Sequence, residues 1–465
     1  MNKRQKLRLS AGFALALPFC ASLPAMADDA LPSLKTPLNT QYLATCPGVG
    51  FGFFQIPGSQ TCMKINMGVQ FETKLDLVQN DITVQTLRLP TAAFPLGSVP
   101  IIEYLKQNLS QTANHYVPRE TWQFGVTTVT PTDYGPLIAY GNFRNFPQLT
   151  LANDRLNLNP SDSLLIDQAW MSFAGFTAGM HRSFFDFTQP GYGYIGGYAS
   201  LVNLNMLAYS HVFGNLVSAT ISLEDNASRV QQDGILSGMG GQTQPDIVGQ
   251  LRVAPSWATF QVAGALHKMT DGTANSCCNA PVRSKEGFAL MSGLELRTKW
   301  SDVFGAKAGN SYGRLMITGA FAQGAMSYLG IPYFATDYVS EQDGTIRPSN
   351  GYSALISYEH LWNPFVKTTL TVSTYGARTH TQPSMITAFA PLQGQSFPAG
   401  LFNFDYRVRG FAAQLGSAYT PVSNFVIGAE GNYTLDHVKA NYASVAGQPA
   451  TVGIWSGSIY VQRNF

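Results

Sequence analysis

An all-β, 16-stranded antiparallel transmembrane β-barrel is the fold class this sequence predicts, and three observations predict it. The first is alternation. In CMKINMGVQFETKLD (residues 62–76), Met63, Ile65, Met67, Val69 and Phe71 share one face, and Lys64, Asn66, Gln70, Glu72 and Lys74 share the other. Strand side chains alternate with period two, so this is a strand with one oily and one wet side. The wet side is too charged for a packed core and the oily side too regular for a solvated surface. Lipid outside and a water-filled lumen inside satisfy both. The second is composition: 12% charged residues, 44 glycines and a mean hydropathy of −0.01. Soluble domains average about 25% charged, whereas oily and polar barrel positions cancel in the mean. The third is the C-terminus, GIWSGSIYVQRNF, where Trp455, Ile459, Val461 and the terminal Phe465 fall on one face. A terminal aromatic on such a strand is the barrel-closing signal read by barrel-assembly machinery.

The N-terminus carries Lys3, Arg4, Lys6 and Arg8, then an apolar run ending in Ala25-Met26-Ala27. This predicts a secretory signal peptide over 1–27, removed after Ala27. A lipoprotein anchor at Cys20 is the competing reading, disfavoured by the large Phe19 before it. Without 1–27, 25 basic residues face 27 acidic ones, a net charge of −2. That excludes nucleic acid as a partner, which demands a concentrated basic face. No uninterrupted run of 18 apolar residues follows residue 27, which excludes ordinary transmembrane helices.

Residues 28–61 read as an aperiodic mature N-terminal segment ending in a disulfide loop. Export permits disulfides, and Cys46 and Cys62 flank the compact stretch PGVGFGFFQIPGSQT. Cys277 and Cys278 lie in GTANSCCNAP, an exposed-loop sequence without metal-ligand spacing; no metal or cofactor is expected. The barrel domain then runs over 62–465. Residues 78–118 read as a long outer loop in which PIIEYLKQNLS is a candidate short helix.

From Glu120 the pattern is strand, turn, strand. Trp122, Phe124 and Val126 alternate with polar neighbours, PTDYGP turns, and PLIAYGNFRNF returns. LLIDQAWMSFAGF and FTAGMHRSFFDF form the next pair. Phe187–Leu223 contains no Asp, Glu, Lys or Arg, and TQPGYGYIGGYASLVN within it is too rich in Gly and Tyr for a regular strand. Later strands are cleaner. SWATFQVAGALHK, GFALMSGLELRTKW and FVIGAEGNYTLD alternate throughout, and YSALISYEHLW joins FVKTTLTVSTYGAR through a tight Asn-Pro turn. Short turns alternating with long polar loops match periplasmic turns and outer loops, and an even strand count places the total at 16.

Several stretches resemble the alphaproteobacterial general porin family. GFGFFQIPGSQTCMKINMGVQFE is similar to that family's opening, IDQAWMSFAGFTAGMHRSFFDF to its central block, YSALISYEHLWNPFVKTTLTVSTYG to its late hairpin and YVQRNF to its end. The resemblance implies an outer-membrane homotrimer that passes small hydrophilic solutes and ions passively, among outer-membrane lipid and lipopolysaccharide. FTAGMHRS, where family members often have Arg after FTAG, and the long 78–118 segment depart from the pattern.

In such porins the third outer loop folds inward against a charged wall, because an ion leaving bulk water needs fixed charges to offset lost hydration. Asp186–Asn205 follows the fifth strand and breaks the alternation, so it is the candidate inserted loop, carrying Asp186, Tyr192, Tyr194 and Tyr198. For the tyrosines the alternative is an aromatic girdle. Candidate wall residues are Lys64, Arg144, Arg182, Arg297, Arg314 and Arg407; the alternative for each is a cation at a strand end, paired with lipid phosphate or a loop carboxylate. Arg463 belongs to the rim. Bases facing only Asp186 predict weak anion preference or near-neutral selectivity, with Glu224, Asp225, Asp337 and Glu341 as outer-mouth carboxylates. The alternatives to a channel are a barrel-embedded hydrolase and a surface adhesin. The seven histidines fall in no G-x-S-x-G or H-E-x-x-H setting, and no enzyme is expected.

Overall fold

In the computed structural model the described residues are 45–46, 48–78, 87–88, 100–102, 116–145, 148–152, 155–159, 164–187, 197–229, 243–271, 283–299, 312–331, 336–340, 345–380, 404–442, 445–446 and 450–465. Their main sheet holds 18 strands, of which two, Phe54–Gln55 and Val445–Ala446, are two-residue stubs. The other sixteen, in chain order, are β1 Cys62–Val78, β2 Tyr116–Thr130, β3 Leu137–Asn145, β4 Leu164–Phe173, β5 Phe176–Arg182, β6 Asn203–Phe213, β7 Val217–Glu224 and β8 Asp246–Val253, then β9 Ala258–Thr270, β10 Ser284–Lys299, β11 Tyr312–Gln323, β12 Asn350–Asn363, β13 Val366–His380, β14 Phe404–Val422, β15 Phe425–Tyr442 and β16 Ala450–Asn464.

Each strand pairs antiparallel with its chain neighbours, and β1 pairs with β16 as well as β2, so the sheet closes. Closure places Val69 opposite Arg463 and Phe71 opposite Val461. The last residue takes part: Phe465 N donates to Met67 O at 2.8 Å. A spanning sheet needs this, because an open edge leaves amides unpaired in hydrocarbon.

Alternation sorts the two faces. Outward positions are exposed and apolar, as in Leu290 (54%), Ile356 (53%) and Leu415 (56%). Inward neighbours are buried and polar or small, as in Thr259 and Gln261 (both 0%), Ser357 and Thr371. Connections alternate in length. β4 and β5 are joined by Ala174-Gly175, both at positive φ (49° and 86°), the geometry of a tight hairpin turn. Between β12 and β13, Asn363 Oδ1 accepts from the amides of Phe365 (2.8 Å) and Val366 (2.9 Å).

Three points depart from the sequence reading. The loop read over 78–118 is shorter, because Val78 ends β1 and Tyr116–Pro118 open β2. Pro100–Ile102, expected to open a short helix, is extended and pairs with Leu87–Arg88; the remainder of PIIEYLKQNLS lies outside the described residues. The segment following β5 ends at Val202 rather than Asn205, because Asn203–Asn205 pair with Met180–Arg182. Cys277 and Cys278 lie outside the described residues.

Cys46 and Cys62 are disulfide-bonded across a sequence separation of 16. The loop they close adds the stub Phe54–Gln55 to the start of β1. Reducing this bond, or Cys62→Ser, is expected to lower stability by about 3 kcal/mol while the barrel still folds; urea-gradient refolding monitored by heat-modifiable gel migration measures it. Ile356→Arg, at the middle of the outward face of β12, is expected to destabilise insertion by about 2–4 kcal/mol, read by the same refolding into liposomes.

Candidate functional site

β5 runs into residues 183–202, which connect it to β6, and the described part of this segment is bonded to inward-facing residues of distant strands. Gln250 of β8 donates to Phe184 O at 2.7 Å, and Gln261 of β9 donates to Asp186 O at 3.1 Å. The Phe187 ring covers Gly293 of β10, where a Cβ would fall 2.5 Å from Phe187 Cγ. Tyr198 N donates to Ser373 Oγ of β13 at 3.1 Å, and Tyr198 Oη donates to Asp436 of β15 at 3.4 Å. Burial pushes the Tyr198 phenol up, and Asp436 beside it adds to this, so it stays a neutral donor. Gly197, at φ +64°, lies so near Leu355 and Ser373 that a Cβ would fall 2.6 Å from Leu355 Cδ1.

A buried charge network ties this segment to two other long connections. Asp186 Oδ2 accepts from Val202 N at 2.7 Å, and its Oδ1 accepts from Ser200 Oγ and from Arg229 Nη2 at 3.2 Å. Arg229 ends the short 3-10 helix Asn226–Arg229 after β7, with Nη1 donating to Ser200 Oγ at 2.6 Å. Its guanidinium lies 4.2 Å from the centre of the Tyr328 ring, in the short helix Met326–Leu329 that follows β11. Tyr328 Oη donates to Asp246 at 2.7 Å, Asp246 contacts His267 Nδ1 at 2.8 Å, and Asp337 accepts from Met326 N at 2.6 Å. Glu224 accepts from Ser183 Oγ (2.6 Å) and Phe184 N (3.1 Å). Arg229, Glu224 and Asp246 are all 0% exposed. Burial alone would disfavour the guanidinium charge, but Asp186, with Tyr328 and Glu224, more than offsets it and holds the Arg229 pKa above its ordinary value. Buried charges persist only when paired and hydrogen-bonded in this way.

The expected wall residues separate into groups. On the inner face of β10 and β11, Arg297 and Arg314 stand opposite each other and share Glu295, at 2.7 and 3.0 Å. Beside them Lys367 of β13 pairs with Glu359 of β12 at 3.2 Å. Arg144 of β3 pairs with Asp167 of β4 at 2.8 Å. Lys64 is on the inward face of β1, its aliphatic chain against Gly52 of the disulfide loop. These bases do not face Asp186, whose side chain is 0% exposed against Arg229. The expected pairing of wall cations with that carboxylate does not form, because a nearer cation takes it.

Arg182 and Arg407 fall on the opposite side from the one expected. Arg182 is in step with Phe176 (55% exposed), whereas Thr177 and His181 face inward. Arg407 is in step with Phe411 and Leu415, while Val408 (1%) and Ala412 (5%) face inward. The sequence alone, without a register, places both on the wall; each stands near a strand end, where alternation in a short window is ambiguous. Glu224 and Asp337, expected at an open mouth, are buried; Tyr192, Tyr194 and Glu341 lie outside the described residues. Arg463 sits at the rim, Nη1 donating to Ser423 O at 2.7 Å and its guanidinium over Phe465.

Sequence reasoning missed Arg229 and Tyr328 as partners of the 183–202 segment, and Asp246 and His267 behind Tyr328 in the same network. One signal was available: Arg229 is the only Lys or Arg between Phe187 and Arg229, so it is the first cation that Asp186 can meet further along the chain.

The fold resembles the outer membrane channel DcaP of Acinetobacter baumannii, with a TM-score of 0.55 over 89% of this chain and 99% of that one at 14% identity. Outer membrane protein IIIA of Rhizobium leguminosarum bv. viciae is 25% identical over 277 residues, covering 58% of this chain and 62% of that protein. Porin Omp2b of Brucella suis is 24% identical over 265 residues, covering 53% of this chain and 62% of that protein. The chain thus spans somewhat less than two thirds of the length of these relatives. The sequence profile of the Porin subfamily matches residues 34–454, most of the closed barrel, and the chain belongs to that subfamily.

Proposed function

We propose that the chain forms a passive, water-filled diffusion channel for small hydrophilic solutes and ions in the outer membrane, as a homotrimer, with 183–202 folded inward as a narrowing third loop. The observation that carries this reading is the bonding of one connection, between β5 and β6, to inward-facing residues as far round the ring as Ser373 and Asp436. A segment so bonded crosses the lumen and leaves the free cross-section to the wall beyond it. The signal peptide over 1–27 is removed on export, so the mature N-terminus is Asp28, and Phe465 presents the assembly signal to the barrel-assembly machinery.

The lumen wall is nearly neutral. Arg144 is offset by Asp167 and Lys367 by Glu359, while Arg297 and Arg314 share the single Glu295, so the four cations of these pairs exceed their carboxylates by one charge. Charged side chains along a pore set which sign passes, and paired ones cancel. In a planar bilayer under a salt gradient the wild-type channel is expected to conduct with a zero-current potential close to zero. Arg144→Ala leaves Asp167 without that partner and shifts the potential toward cations. A strongly selective wild type, or no shift, contradicts this wall. A preparation that hydrolyses esters or phospholipids and does not conduct would favour the hydrolase, and a trimer is read from the mass in mild detergent.

The narrowing loop depends on Arg229. Arg229→Met leaves Asp186 and Glu224 buried without their cation, a change that costs about 3–5 kcal/mol for a broken buried pair. Its expected result is a barrel that still migrates as folded, with larger, noisier single-channel currents and faster proteolysis within 183–202. Unchanged conductance and cleavage would show that the loop is held by other means.

A further inference from the structure

Many inward positions of the barrel are small or polar, and inward rings such as Tyr375 (1% exposed) and Tyr460 (6%) are packed away from water. β3, β4 and β5 depart from this. On their inward face Tyr140 of β3 stands opposite Trp170 of β4, and Trp170 stands opposite Gly179 of β5. Gly179 is at φ +118°, and a Cβ there would fall 2.9 Å from Trp170 Cα. The space beside this glycine lets the Trp170 ring meet His181, the next inward residue of β5, edge-on at 5.0 Å. The Tyr140 ring lies 5.6 Å from Trp170, and the Phe184 ring stacks on His181 at 5.5 Å. These four rings form one arc from β3 to the start of the 183–202 segment, and all four are only half-buried.

Polar side chains adjoin the arc. In the next inward row Asn142 stands opposite Gln168. Asp167 accepts from Asn142 Nδ2 at 3.2 Å, from Asn203 Nδ2 at 3.1 Å and from Arg144 at 2.8 Å. Gln168 accepts from Trp170 Nε1 at 3.4 Å and donates to Asn203 Oδ1 at 3.3 Å. A side-chain amide has two N–H groups and two lone pairs, so Asn142, Gln168 and Asn203 keep bonding capacity beyond these contacts. His181 Nδ1 donates to Arg182 O at 2.7 Å, which leaves Nε2 an acceptor. Half-open rings on a wetted wall expose apolar surface that a covering solute would remove from water. A sugar ring suits this surface. Its C–H face lies well against the electron-rich face of an aromatic ring, and its rim of hydroxyls needs donors and acceptors beside the ring.

We infer that this arc is a binding site for neutral oligosaccharides on the lumen wall, one sugar ring lying on Tyr140 and Trp170 and its neighbour toward His181 and Phe184. The inference rests on the channel reading above and names one class of solute that this lumen takes. The sugar hydroxyls meet Asn142, Gln168 and His181 Nε2. A neutral sugar fits better than a charged one, because Arg144 and two amides already engage the Asp167 carboxylate. What the row offers is hydrogen bonding rather than net charge. A planar solute such as a nucleoside also stacks on rings, but it brings fewer hydroxyls to the amide row. The site is shallow and open to water, so it holds solute long enough to enter the narrowing and releases it readily, as conduction requires.

The test uses the full-chain barrel in detergent, titrated with maltotriose, with a polyethylene glycol of the same mass and with adenosine, binding being followed by saturation-transfer difference NMR. Wild type is expected to bind maltotriose saturably, with a dissociation constant on the order of 10 mM, and to bind the other two more weakly. Trp170→Leu and Tyr140→Leu are each expected to weaken maltotriose binding about five-fold, the loss of one ring contact, and Trp170→Tyr to retain most of it. Should Trp170→Leu fail to migrate as a folded barrel, Tyr140→Leu and Asn142→Ala carry the test, each with weaker binding expected. No saturable maltotriose signal, equal binding by wild type and the folded variants, or binding of polyethylene glycol or adenosine as tight as that of maltotriose overturns the site. Single-channel recording on the same preparations separates the two readings. A barrel that conducts without binding maltotriose refutes only the sugar site, and one that binds it without conducting refutes only the channel.

Discussion

Backbone hydrogen bonding in a medium without water is the constraint on which the rest of this structure depends. Each amide on a spanning strand must find a partner within the sheet, because hydrocarbon supplies none and an unpaired polar group there costs several kcal/mol. An open sheet always has two edges. The chain removes them by pairing β1 with β16 from Gly68–Asn464 to Val78–Ile454, with Phe465 itself in the ladder. Once the ring is closed, alternation must send every second side chain to lipid and the rest to the lumen. Composition follows from this: middling hydropathy, little charge, and polar groups concentrated on one face.

That constraint explains what was legible in the sequence. β1, β10 and β15 could be read residue by residue because both of their faces are specified, one by lipid and one by water. The Asn-Pro turn before β13 was legible as well, since turn chemistry is local, whereas Ala174-Gly175 reads in the sequence as part of the strand LLIDQAWMSFAGF. β7 and β8 were not singled out, being short and containing few charges to mark the wet face. Arg182 and Arg407 were misassigned for a related reason. Near these strand ends polarity does not mark the face, since apolar Val408 turns inward beside outward Arg407, and only the register against Asn203 and Arg378 tells the faces apart.

Beyond the position of Arg229 as the first cation after Asp186, the buried network could not be read. Asp186 stands 43 positions before Arg229 and contacts it directly, and Tyr328 and Asp246 lie further on, each in or beside a connection without periodicity. Nothing in a loop's local pattern tells which distant loop it meets. Asp186 read as a pore carboxylate because the nearest visible chemistry was the barrel wall. Its true environment is a dry one, in which Arg229, Ser200 and the amide of Val202 neutralise it. The network thus trades a pore charge for a tether, joining three long connections, after β5, β7 and β11, by salt bridge, cation–π contact and hydrogen bond.

Ring closure is therefore the central claim, and hydrogen–deuterium exchange of the barrel in lipid tests it most directly. If β1 and β16 are paired as described, the amides of residues 68–78 and 454–464 exchange as slowly as those of β9 and β10 on the far side of the ring. Rapid exchange confined to the facing edges of β1 and β16, with the remaining strands protected, would mean an open sheet and would contradict the account.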